Sequence, residues 1–424
     1  MIRSDNENLV YTAIDEFFRG STPASRKNPK WRVPIGMGYF DEREVKAAVE
    51  CYLNGWLSTQ NKVKEFEAAF ANYLGVTYAI ATNSGSSANL LALDALMQSG
   101  ALVRGDEVIV PATTFVTVVT PIIQLGLIPV YVDIDPHTLN IDPKLIESAI
   151  VKGKTKAIMV VHTLGNPAPM KEIMDIANRE GLVVIEDCCE AHGAMVGDRK
   201  VGSFGDLATF SFYVAHNMTT GEGGMVVTNS STYARLVAQL REFGRHLAYL
   251  GNRYGYSDGF LTNFDERYVF SALGYNFRMA DPPAAFGMVQ LQRLDDTNSK
   301  RIMNATAYME RLNILRRVLY IPEIRPDTRH VFYGFPIVIK QESGIPRTSL
   351  VRYLEAHKIE TRAIFCGTLP DQPCFRDAPG RSSGLLNESR MVRDNGFFIG
   401  CHPGLNDEDI VYVVDKLIDF CAVY

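Results

Sequence analysis

The stretch FSFYVAHNMTTGEGGMVV, residues 210–227, decides the fold. It predicts a strand that ends near Ser211, a short polar link that carries His216, and a Gly-rich return strand. The spacing of the two apolar runs lets the second strand return beside the first.

Alternating strands and helices precede this stretch. Five apolar runs predict strands: YAIAT (78–82), EVIV (107–110), IPVYVD (128–133), TKAIMVV (155–161) and LVVIED (182–187). Runs that are apolar throughout are typical of strands covered on both faces, as in a parallel sheet between layers of helices. The sequence therefore predicts an α/β fold with a mostly parallel central sheet.

The chain divides into three parts by character. Residues 1–33 predict an N-terminal helix and a polar linker, and residues 34–290 predict a large domain built on the sheet. After the helical segment DPPAAFGMVQLQRLDDT (281–297), long charged helices mix with a few strands. Residues 291–424 therefore predict a smaller α+β C-terminal domain.

Composition places the chain among ordinary globular proteins. Of its 424 residues, 46% are hydrophobic and 21% are charged, and the formal net charge is −5. This charge gives no overall attraction to nucleic acid or to an anionic membrane. Seven cysteines without a CxxC pair do not suggest a disulfide framework and favour a reducing compartment.

Membrane insertion is not expected. The N-terminal region carries acidic residues and has no apolar core, unlike a signal peptide. The uncharged run 108–132 is long enough to cross a bilayer, but Pro111, Pro121 and Pro129 divide it into strand, turn, helix and strand. We expect a soluble cytoplasmic protein.

A Ser/Gly cluster lies at a predicted strand-to-helix turn. In TNSGSSANLLAL (82–93), Gly85, Ser86 and Ser87 open the helix. Backbone N–H groups at a helix N-terminus, with hydroxyls nearby, can bind a phosphate. Capping of the helix needs the same residue types, so both interpretations stay open at this point.

Two carboxylates end a predicted buried strand. In LVVIEDCCEAHG (182–193), Glu186 and Asp187 stand where an unpaired charge is costly, so a cation should meet a carboxylate there. The pyridinium nitrogen of a cofactor such as pyridoxal phosphate (PLP) would serve. A helix cap or a structural salt bridge is the alternative.

The order of these pieces resembles that of a known family. A phosphate turn, a strand-end Asp and a Ser before the Gly-rich GEGG (221–224) follow each other as in fold-type I PLP enzymes. The most specific motifs are TNSGSSANLLAL, VVHTLGN, IEDCCEAHG, SFYVAHNMTTGEGG and LGYNFRM. They are similar to those of the DegT/DnrJ/EryC1/StrS sugar aminotransferase and dehydratase family, and the similarity covers nearly the whole chain. It implies the fold-type I aminotransferase fold and a homodimer whose active sites are built from two subunits.

The resemblance implies roles for individual residues. Gly85 and Ser86 correspond to the phosphate turn, and Ser211 corresponds to a phosphate-binding hydroxyl. Asp187 corresponds to the partner of the pyridinium nitrogen, which keeps the ring an electron sink. Glu190 stands where the family usually has Gln or His beside the ring oxygen.

Three further residues match the family's pattern or depart from it. Phe115 in PATTFVT matches the aromatic residue that stacks on the ring. Asn276 in LGYN matches an Asn offered to the phosphate across the dimer interface. His216 departs from the pattern, because it occupies the position of the lysine that binds the cofactor covalently.

A histidine at this position changes the chemistry that the resemblance implies. Lysine attacks the cofactor aldehyde, whereas histidine cannot hold a stable imine, so the pocket should favour the amine form, pyridoxamine 5′-phosphate (PMP). A neutral imidazole, with an ordinary pKa near ~6.5, can act as a general base. This matches the branch of the family that removes the C3 hydroxyl of nucleotide-linked 4-keto-6-deoxyhexoses. We expect His216 and Asp187 to be catalytic.

Within that branch the chain looks most like the CDP-sugar dehydratase, with one departure. That enzyme carries a [2Fe-2S] cluster on cysteines between the GEGG and LGYN motifs, and residues 241–276 of this chain contain no cysteine. We expect no iron–sulfur cluster. The cluster-free GDP-sugar dehydratase, which loses ammonia and regenerates PMP from an amino acid such as glutamate, is the better analogy for turnover.

Three functions stay open. The first is a PMP/PLP-dependent 3-dehydratase in deoxysugar biosynthesis, for a lipopolysaccharide O-antigen or a natural product. The second is an aminotransferase-like enzyme that acts on another keto substrate. The third is a non-catalytic, sugar-nucleotide-binding partner subunit in which His216 only packs. The predicted ligand set around His216 is otherwise intact, which argues against the third. The first is favoured over the second because, without a lysine ammonium to reprotonate C4, the electrons can expel the C3 hydroxyl.

Overall fold

The computed structural model describes residues 5–20, 30–246 and 268–424. The helices in these residues are α1 Asp5–Phe18, α2 Glu42–Leu53, α3 Asn61–Leu74, α4 Gly85–Gln98, α5 Val116–Gln124, α6 Pro143–Ala149, α7 Met170–Glu180, α8 Ser231–Arg241, α9 Asp281–Gln292, α10 Leu294–Arg311, α11 Arg347–Ala356, α12 Asn387–Asn395 and α13 Asp407–Cys421. The strands are β1 Tyr78–Thr82, β2 Glu107–Pro111, β3 Ile128–Val132, β4 Thr155–Val161, β5 Val183–Asp187, β6 Met195–Val196, β7 Arg199–Lys200, β8 Leu207–Ser211, β9 Gly224–Thr228, β10 Leu319–Tyr320, β11 Thr328–Arg329, β12 Phe335–Ile339, β13 Thr361–Arg362, β14 Arg381–Ser383 and β15 Gly396–Ile399.

A large central sheet organises the first two thirds of the chain. Its strand order is β1-β9-β8-β5-β4-β2-β3-β14. All neighbours from β8 to β14 pair in parallel, whereas β9 runs antiparallel to both β8 and β1. The predicted mostly parallel sheet is confirmed, and the Gly-rich stretch after His216 is the antiparallel return strand.

Both faces of this sheet are covered, as the apolar runs predicted. Along β2, Ile109 packs into one core with helices α3 and α7, while Val108 and Val110 pack into another core with α4, α5 and α8. Alternate side chains of a strand point to opposite faces, so a strand between two helical layers is apolar at every position.

A second, antiparallel sheet forms the core of the C-terminal part. Its strand order is β10-β12-β15-β13, and it packs with helices α10, α11 and α13. One strand of the C-terminal part belongs to the large sheet instead. The short strand β14 joins the edge of the large sheet beside β3, where Arg381 binds Glu107 through two N–H groups at 2.8 and 2.6 Å. The domain bounds stay a prediction, but a division at residue 290 does not separate the two sheets completely.

One predicted helix is broken in the structure. The segment 281–297 was expected to be continuous, but α9 ends at Gln292 and α10 begins at Leu294. Arg293, between them, has a φ of −107° and binds Asp41 and Glu44 at 3.0 and 2.8 Å. No Gly or Pro lies at this bend between α9 and α10. The contacts of the Arg293 side chain with the N-terminal end of α2 fix it instead.

The uncharged run 108–132 folds as expected, into β2, α5 and β3. Within the described ranges, no helix combines the length and the apolar character needed to cross a bilayer. The polar linker predicted before residue 33 falls largely on residues 21–29, which lie outside the described residues.

Candidate active site

A cavity of about 330 Å³ opens at the carboxyl ends of the parallel strands. This edge of an open α/β sheet is where ligands usually bind. Seven of the eight predicted site residues line it: Gly85, Ser86, Phe115, Asp187, Glu190, Ser211 and His216. The sheet therefore brings together residues that are up to 131 positions apart in sequence.

The phosphate turn lies at the start of α4. Ser84 caps the helix, because its Oγ accepts the N–H of Ser87 at 3.1 Å. The N–H groups of Gly85 and Ser86, in the first turn, have no acceptor within a helix and can bind an anion. Gly85 is needed for packing, since a Cβ there would lie 2.5 Å from the Cβ of Ser211. Ser84 therefore caps the helix, while Gly85 and Ser86 line the cavity, and phosphate binding by this turn stays a prediction.

Asp187 presents a buried carboxylate to the cavity. Its side chain accepts hydrogen bonds from Asn89 Nδ2 at 2.9 Å and from the N–H of Cys189 at 3.0 Å. Thr209 in turn donates to Asn89 Oδ1 at 2.6 Å, which fixes the amide orientation. Asp187 is only 6% exposed, and no Lys, Arg or His of the described residues lies within salt-bridge distance of it. A cationic group of a ligand fits this place.

The neighbouring carboxylate, Glu186, is structural. It accepts hydrogen bonds from His162 Nε2 at 3.2 Å and from the N–H groups of Gly202, Phe204 and Gly205 at 2.8 Å each. Burial favours its neutral form, but these donors outweigh burial and lower its pKa. Of the two carboxylates that the sequence placed at this strand end, Glu186 is held by four protein donors, and Asp187 is the one that lines the cavity.

The same contacts account for a cluster with the composition of a metal site. His162, Glu186 and Cys188 are close enough to share an ion. His162 Nδ1 accepts the N–H of Ala168 at 3.0 Å, so its Nε2 carries the proton and donates to Glu186. The hydrogen-bonding groups of both His162 and Glu186 are therefore already satisfied.

The prediction that there is no iron–sulfur cluster rests on the cysteine-free segment 241–276. Residues 247–267 of that segment lie outside the described residues.

His216 follows β8 and faces the cavity with a neutral ring. Burial lowers its pKa to about 3, and the charge of Arg301 adds to the effect. Its Nδ1 is buried and has no hydrogen-bond partner among the residues that the structure describes. The ring packs 5.2 Å from the ring of Tyr333 and 6.1 Å from that of His192, measured between centroids.

Arg301 and Tyr333, both from the C-terminal part, were not predicted. Arg301 is 2% exposed, and its Nη1 donates to the carbonyl oxygens of Phe332 and Tyr333 at 3.2 and 3.0 Å. No carboxylate of the described ranges lies within salt-bridge distance of its guanidinium. Arg301 lies on the same face of α10 as the buried residues Ala305 and Tyr308. A charged residue at the spacing of a buried helix face was the sequence signal that could have identified it.

Glu190 contacts the cavity from the turn after β5. Its Oε2 accepts the N–H of Leu164 at 2.8 Å. Burial raises its pKa to about 8, and the nearby charge of Asp187 acts in the same direction. The carboxyl group is therefore largely neutral at pH 7.

Phe115 and Asn276 differ in where the single chain places them. Phe115 lines the cavity and is 49% exposed, as a residue available for stacking should be. Asn276 is exposed, accepts a hydrogen bond from Arg278 Nε at 3.1 Å and does not line the cavity. A role at the phosphate would require a second chain, and it stays a prediction.

Comparison with known proteins shows the family to which the chain belongs. The sequence profile of the DegT/DnrJ/EryC1/StrS aminotransferase family matches residues 39–418. The chain belongs to this family. The predicted family is thereby confirmed.

Two curated proteins of similar length are close relatives. The chain is 41% identical to the lipopolysaccharide biosynthesis protein RfbH of Salmonella typhimurium, over 92% of this chain and 91% of that protein. It is 38% identical to the dTDP-4-dehydro-2,6-dideoxy-D-glucose 3-dehydratase of Saccharopolyspora spinosa, over 96% of this chain and 88% of that protein.

A solved structure shows the same fold. GDP-4-keto-6-deoxy-D-mannose-3-dehydratase of E. coli, with bound hydrated PLP, superposes with a TM-score of 0.86 at 31% identity. The match covers 91% of this chain and 99% of that one. The predicted fold-type I aminotransferase fold is confirmed, and two of these similar proteins are named as nucleotide-sugar 3-dehydratases.

Proposed function

We propose that this family member is a PMP/PLP-dependent dehydratase that removes the C3 hydroxyl of a nucleotide-linked 4-keto-6-deoxyhexose. One observation carries the proposal. The described residues that line the cavity include two imidazoles and no lysine. The ring of His162 is bonded to Glu186 and to the N–H of Ala168, whereas Nδ1 of His216 has no partner among the described residues. The pocket thus retains the surroundings of a PLP-type site without the group that would bind the cofactor covalently.

The residues around the cavity fit such a cofactor. The first turn of α4 and Ser211 would bind its phosphate, and Asp187 would accept a charge-assisted hydrogen bond from its ring nitrogen. Phe115 would stack on the ring face. The buried, unpaired carboxylate of Asp187 and the close approach of Gly85 to Ser211 both support this fit.

The chemistry divides between cofactor and protein. Bound PMP would supply an amine that condenses with the sugar ketone and a ring that takes up electrons. His216 would accept the proton released from the carbon that bears this amine. We assign this role to Nε2, because Nδ1 is buried. The protonated imidazole can then give a proton to the departing C3 hydroxyl, so that the C–O bond breaks and water leaves.

Turnover needs a source of PMP and a second subunit. We propose that an amino acid such as glutamate regenerates PMP after the deoxysugar leaves with loss of ammonia. We also propose a homodimer in which Asn276 of one chain reaches the phosphate in the other. The process would be deoxysugar biosynthesis in the cytoplasm, for lipopolysaccharide or for a natural product.

The test is mass spectrometry of the sugar after incubation with the full chain and PMP. The released sugar should carry one oxygen atom fewer than the nucleotide-linked 4-keto-6-deoxyhexose supplied, because the C3 hydroxyl leaves as water, hydrolysis restores the ketone with release of ammonia, and PMP supplies the two electrons and is regenerated from glutamate. Formation of a 4-amino sugar without loss of water would instead support an aminotransferase. Sugar binding without conversion would support a partner subunit. Stoichiometric iron with acid-labile sulfide would contradict the expected absence of a cluster.

A further inference from the structure

A second buried imidazole, that of His192, lies beside His216. His192 is 1% exposed and does not line the cavity. Its ring packs on Phe210 and Phe212 at centroid distances of 5.4 and 5.7 Å, and these apolar neighbours offer it no hydrogen bond. Neither Nδ1 nor Nε2 of His192 has a hydrogen-bond partner among the residues that the structure describes. Buried polar atoms of folded proteins are nearly always hydrogen-bonded, so this ring needs a partner.

His216 carries a further buried nitrogen that needs a partner. Its ring lines the cavity, but its Nδ1 is buried and makes no hydrogen bond within the described ranges. A neutral imidazole bears its proton on one nitrogen and accepts with the other. A ring that accepts a proton through Nε2 must therefore hold its own proton on Nδ1. Free histidine in water prefers the opposite form, so an acceptor at Nδ1 has to select the reactive tautomer.

The two rings are too far apart for a direct hydrogen bond. The centroids of His192 and His216 are 6.1 Å apart, and the ring planes meet at 43°. Because an imidazole nitrogen lies about 1.2 Å from its ring centre, the nitrogens of the two rings are at least about 3.7 Å apart, beyond the usual limit of about 3.2 Å. A polar contact across more than about 3.5 Å is one that a water molecule can bridge. One water between the rings would satisfy a nitrogen of each.

The fold holds the backbones beside the two rings together. Asn298 of α10 is fully buried, and its Nδ2 donates to the main-chain carbonyl of His192 at 2.7 Å. The Oδ1 of Asn298 accepts a hydrogen bond from Asn217 Nδ2 at 2.8 Å. Asn217 directly follows His216, and its Nδ2 also donates to the carbonyl of Val331 at 3.2 Å. The distance between the imidazoles is therefore set by contacts from a third element.

Both imidazoles are neutral. Burial lowers the pKa of His192 well below its ordinary value, and nearby His216 and Arg301 act in the same direction, whereas the carbonyl group of Ser211 acts against them. Burial and then Arg301 lower the pKa of His216. A neutral His192 has one nitrogen that accepts, so it can receive a hydrogen bond from a water. The same water can accept the Nδ1–H of His216.

We propose that His192 is a positioning residue: through one buried water it keeps the proton of neutral His216 on Nδ1 and leaves Nε2 free to accept a proton at the cavity. The water accepts from His216 Nδ1–H and donates to the accepting nitrogen of His192. The inference rests on the proposed role of His216 as general base and deepens it, because it explains how that base is held in its reactive tautomer.

The test reads the tautomer of His216 directly. Two-bond ¹⁵N–¹H spectra of the full chain, labelled on histidine and freed of cofactor by dialysis, distinguish a protonated ring nitrogen from a bare one. A His216→Asn sample assigns the signals. Wild type should carry the proton of His216 on Nδ1. In His192→Leu, which has no polar side-chain atom, the ratio of the Nδ1–H to the Nε2–H form should fall about 2- to 12-fold, as expected for the loss of one neutral hydrogen bond.

Two further variants separate hydrogen bonding from packing. His192→Gln can still donate and accept, so it should restore part of the ratio. Phe210→Leu is the matched control, because it changes the packing around His192 and removes no polar atom. It should keep the wild-type ratio. In the dehydration assay, His192→Leu should lower kcat by up to the same factor and leave KM unchanged, since His192 does not line the cavity.

Several results would overturn the proposal. These are a wild-type His216 protonated on Nε2, a ratio that is unchanged in His192→Leu, and an equal fall in Phe210→Leu. The wild-type spectrum decides the matter even where a variant does not fold. A crystal structure should show one water within about 3.2 Å of His216 Nδ1 and of a His192 nitrogen, and a direct contact between the rings would contradict the bridge. The spectra need no substrate, so a chain that converts no sugar would contradict the proposed function and leave the tautomer result standing.

Discussion

The imidazole of His216 makes no hydrogen bond with the residues that the structure describes, so packing orients the ring. Its ring lies against Tyr333 and near His192, and its main-chain N–H donates to the carbonyl of Tyr213 at 3.0 Å. Burial keeps the imidazole neutral. A neutral imidazole beside a cofactor can accept a proton at once, without first losing one to water.

Asp187 tests the residue-scale account of the cofactor. Asp187→Asn keeps the size of the side chain and removes the charge, so folding should be retained. The loss of a charge-assisted hydrogen bond of about 1.5–3 kcal/mol should weaken PMP binding by about 10- to 150-fold. Calorimetric titration with PMP measures this, and dehydration should be abolished in the same variant.

The control for this variant is Asp198→Asn, which changes an exposed carboxylate away from the cavity. It should bind PMP like wild type. Near-normal dehydration by Asp187→Asn would show that the ring nitrogen does not need this partner.

At the scale of elements, helix α10 reaches His216 through the segment before β12. Arg301, on that helix, binds the carbonyl oxygens of Phe332 and Tyr333, and the ring of Tyr333 packs on His216. Arg301 is therefore a positioning residue. It also repels a proton on the imidazole, which is the second cause of the lowered pKa of His216 after burial.

Arg301→Met should raise the pKa of His216 toward its ordinary value, but only in part, because burial remains the larger cause. Arg301→Lys keeps the charge and should leave the pKa near that of wild type. The ¹³C–¹H signals of the imidazole Cε1, assigned with a His216→Asn sample, report this titration directly. A purely structural role of Arg301 would give the same His216 titration in both variants.

The sign of the pH dependence follows from the same argument. His216 must be neutral to accept a proton, and its pKa of about 3 keeps it neutral well below pH 6.5. The pH profile of kcat/KM for wild type should therefore lack an acid limb near pH 6.5. For Arg301→Met, an acid limb should move to higher pH.

The sequence predicted the elements whose signals are local. Apolar runs predicted the five strands β1 to β5. Gly and Ser at turns predicted the capped helix α4 and the return strand β9. It could not predict β14, because Arg381, Ser382 and Ser383 have no apolar pattern and are held by the pairing of Arg381 with Glu107. The break at Arg293 was missed for a similar reason, since contacts with distant residues fix it.

The site was predicted to the same extent. Seven of the eight predicted residues line one cavity, and they were indicated by motifs that resemble those of the family; their roles stay predictions. Arg301 and Tyr333 were missed because their connection to His216 runs through backbone carbonyl groups, which no spacing in the sequence reveals. The left-handed conformation of Leu164, a non-glycine residue, was equally unpredictable.

At the scale of the whole molecule, Asn276 tests whether two chains share one active site. His216 lines the cavity, whereas Asn276 lies on the surface of the same chain. If Asn276 acts across the interface, a heterodimer of His216→Asn and Asn276→Asp chains has one site with both changes and one site with neither. Such a heterodimer should regain about half the activity of the wild-type dimer, since one of its two sites is intact.

The measurement mixes the two purified variants under conditions that exchange subunits, isolates the heterodimer by two different affinity tags and assays dehydration. Each parent homodimer should be nearly inactive, because Asn276→Asp places a negative charge at the phosphate. A heterodimer as inactive as both parents would place both residues in the same site of one chain, and an active Asn276→Asp homodimer would place Asn276 in no site.

The most direct test of the account concerns His216 as the general base. His216→Asn keeps a similar size but cannot accept the proton, and His137→Asn is the matched control on an exposed histidine away from the cavity. We measure, by mass spectrometry at saturating PMP, the rate at which the nucleotide-linked 4-keto-6-deoxyhexose is converted to the product that has one oxygen atom fewer. The account predicts that His216→Asn still binds PMP and loses about 10²–10⁴-fold in rate, while His137→Asn matches wild type. Dehydration by His216→Asn at a rate near that of wild type would contradict it.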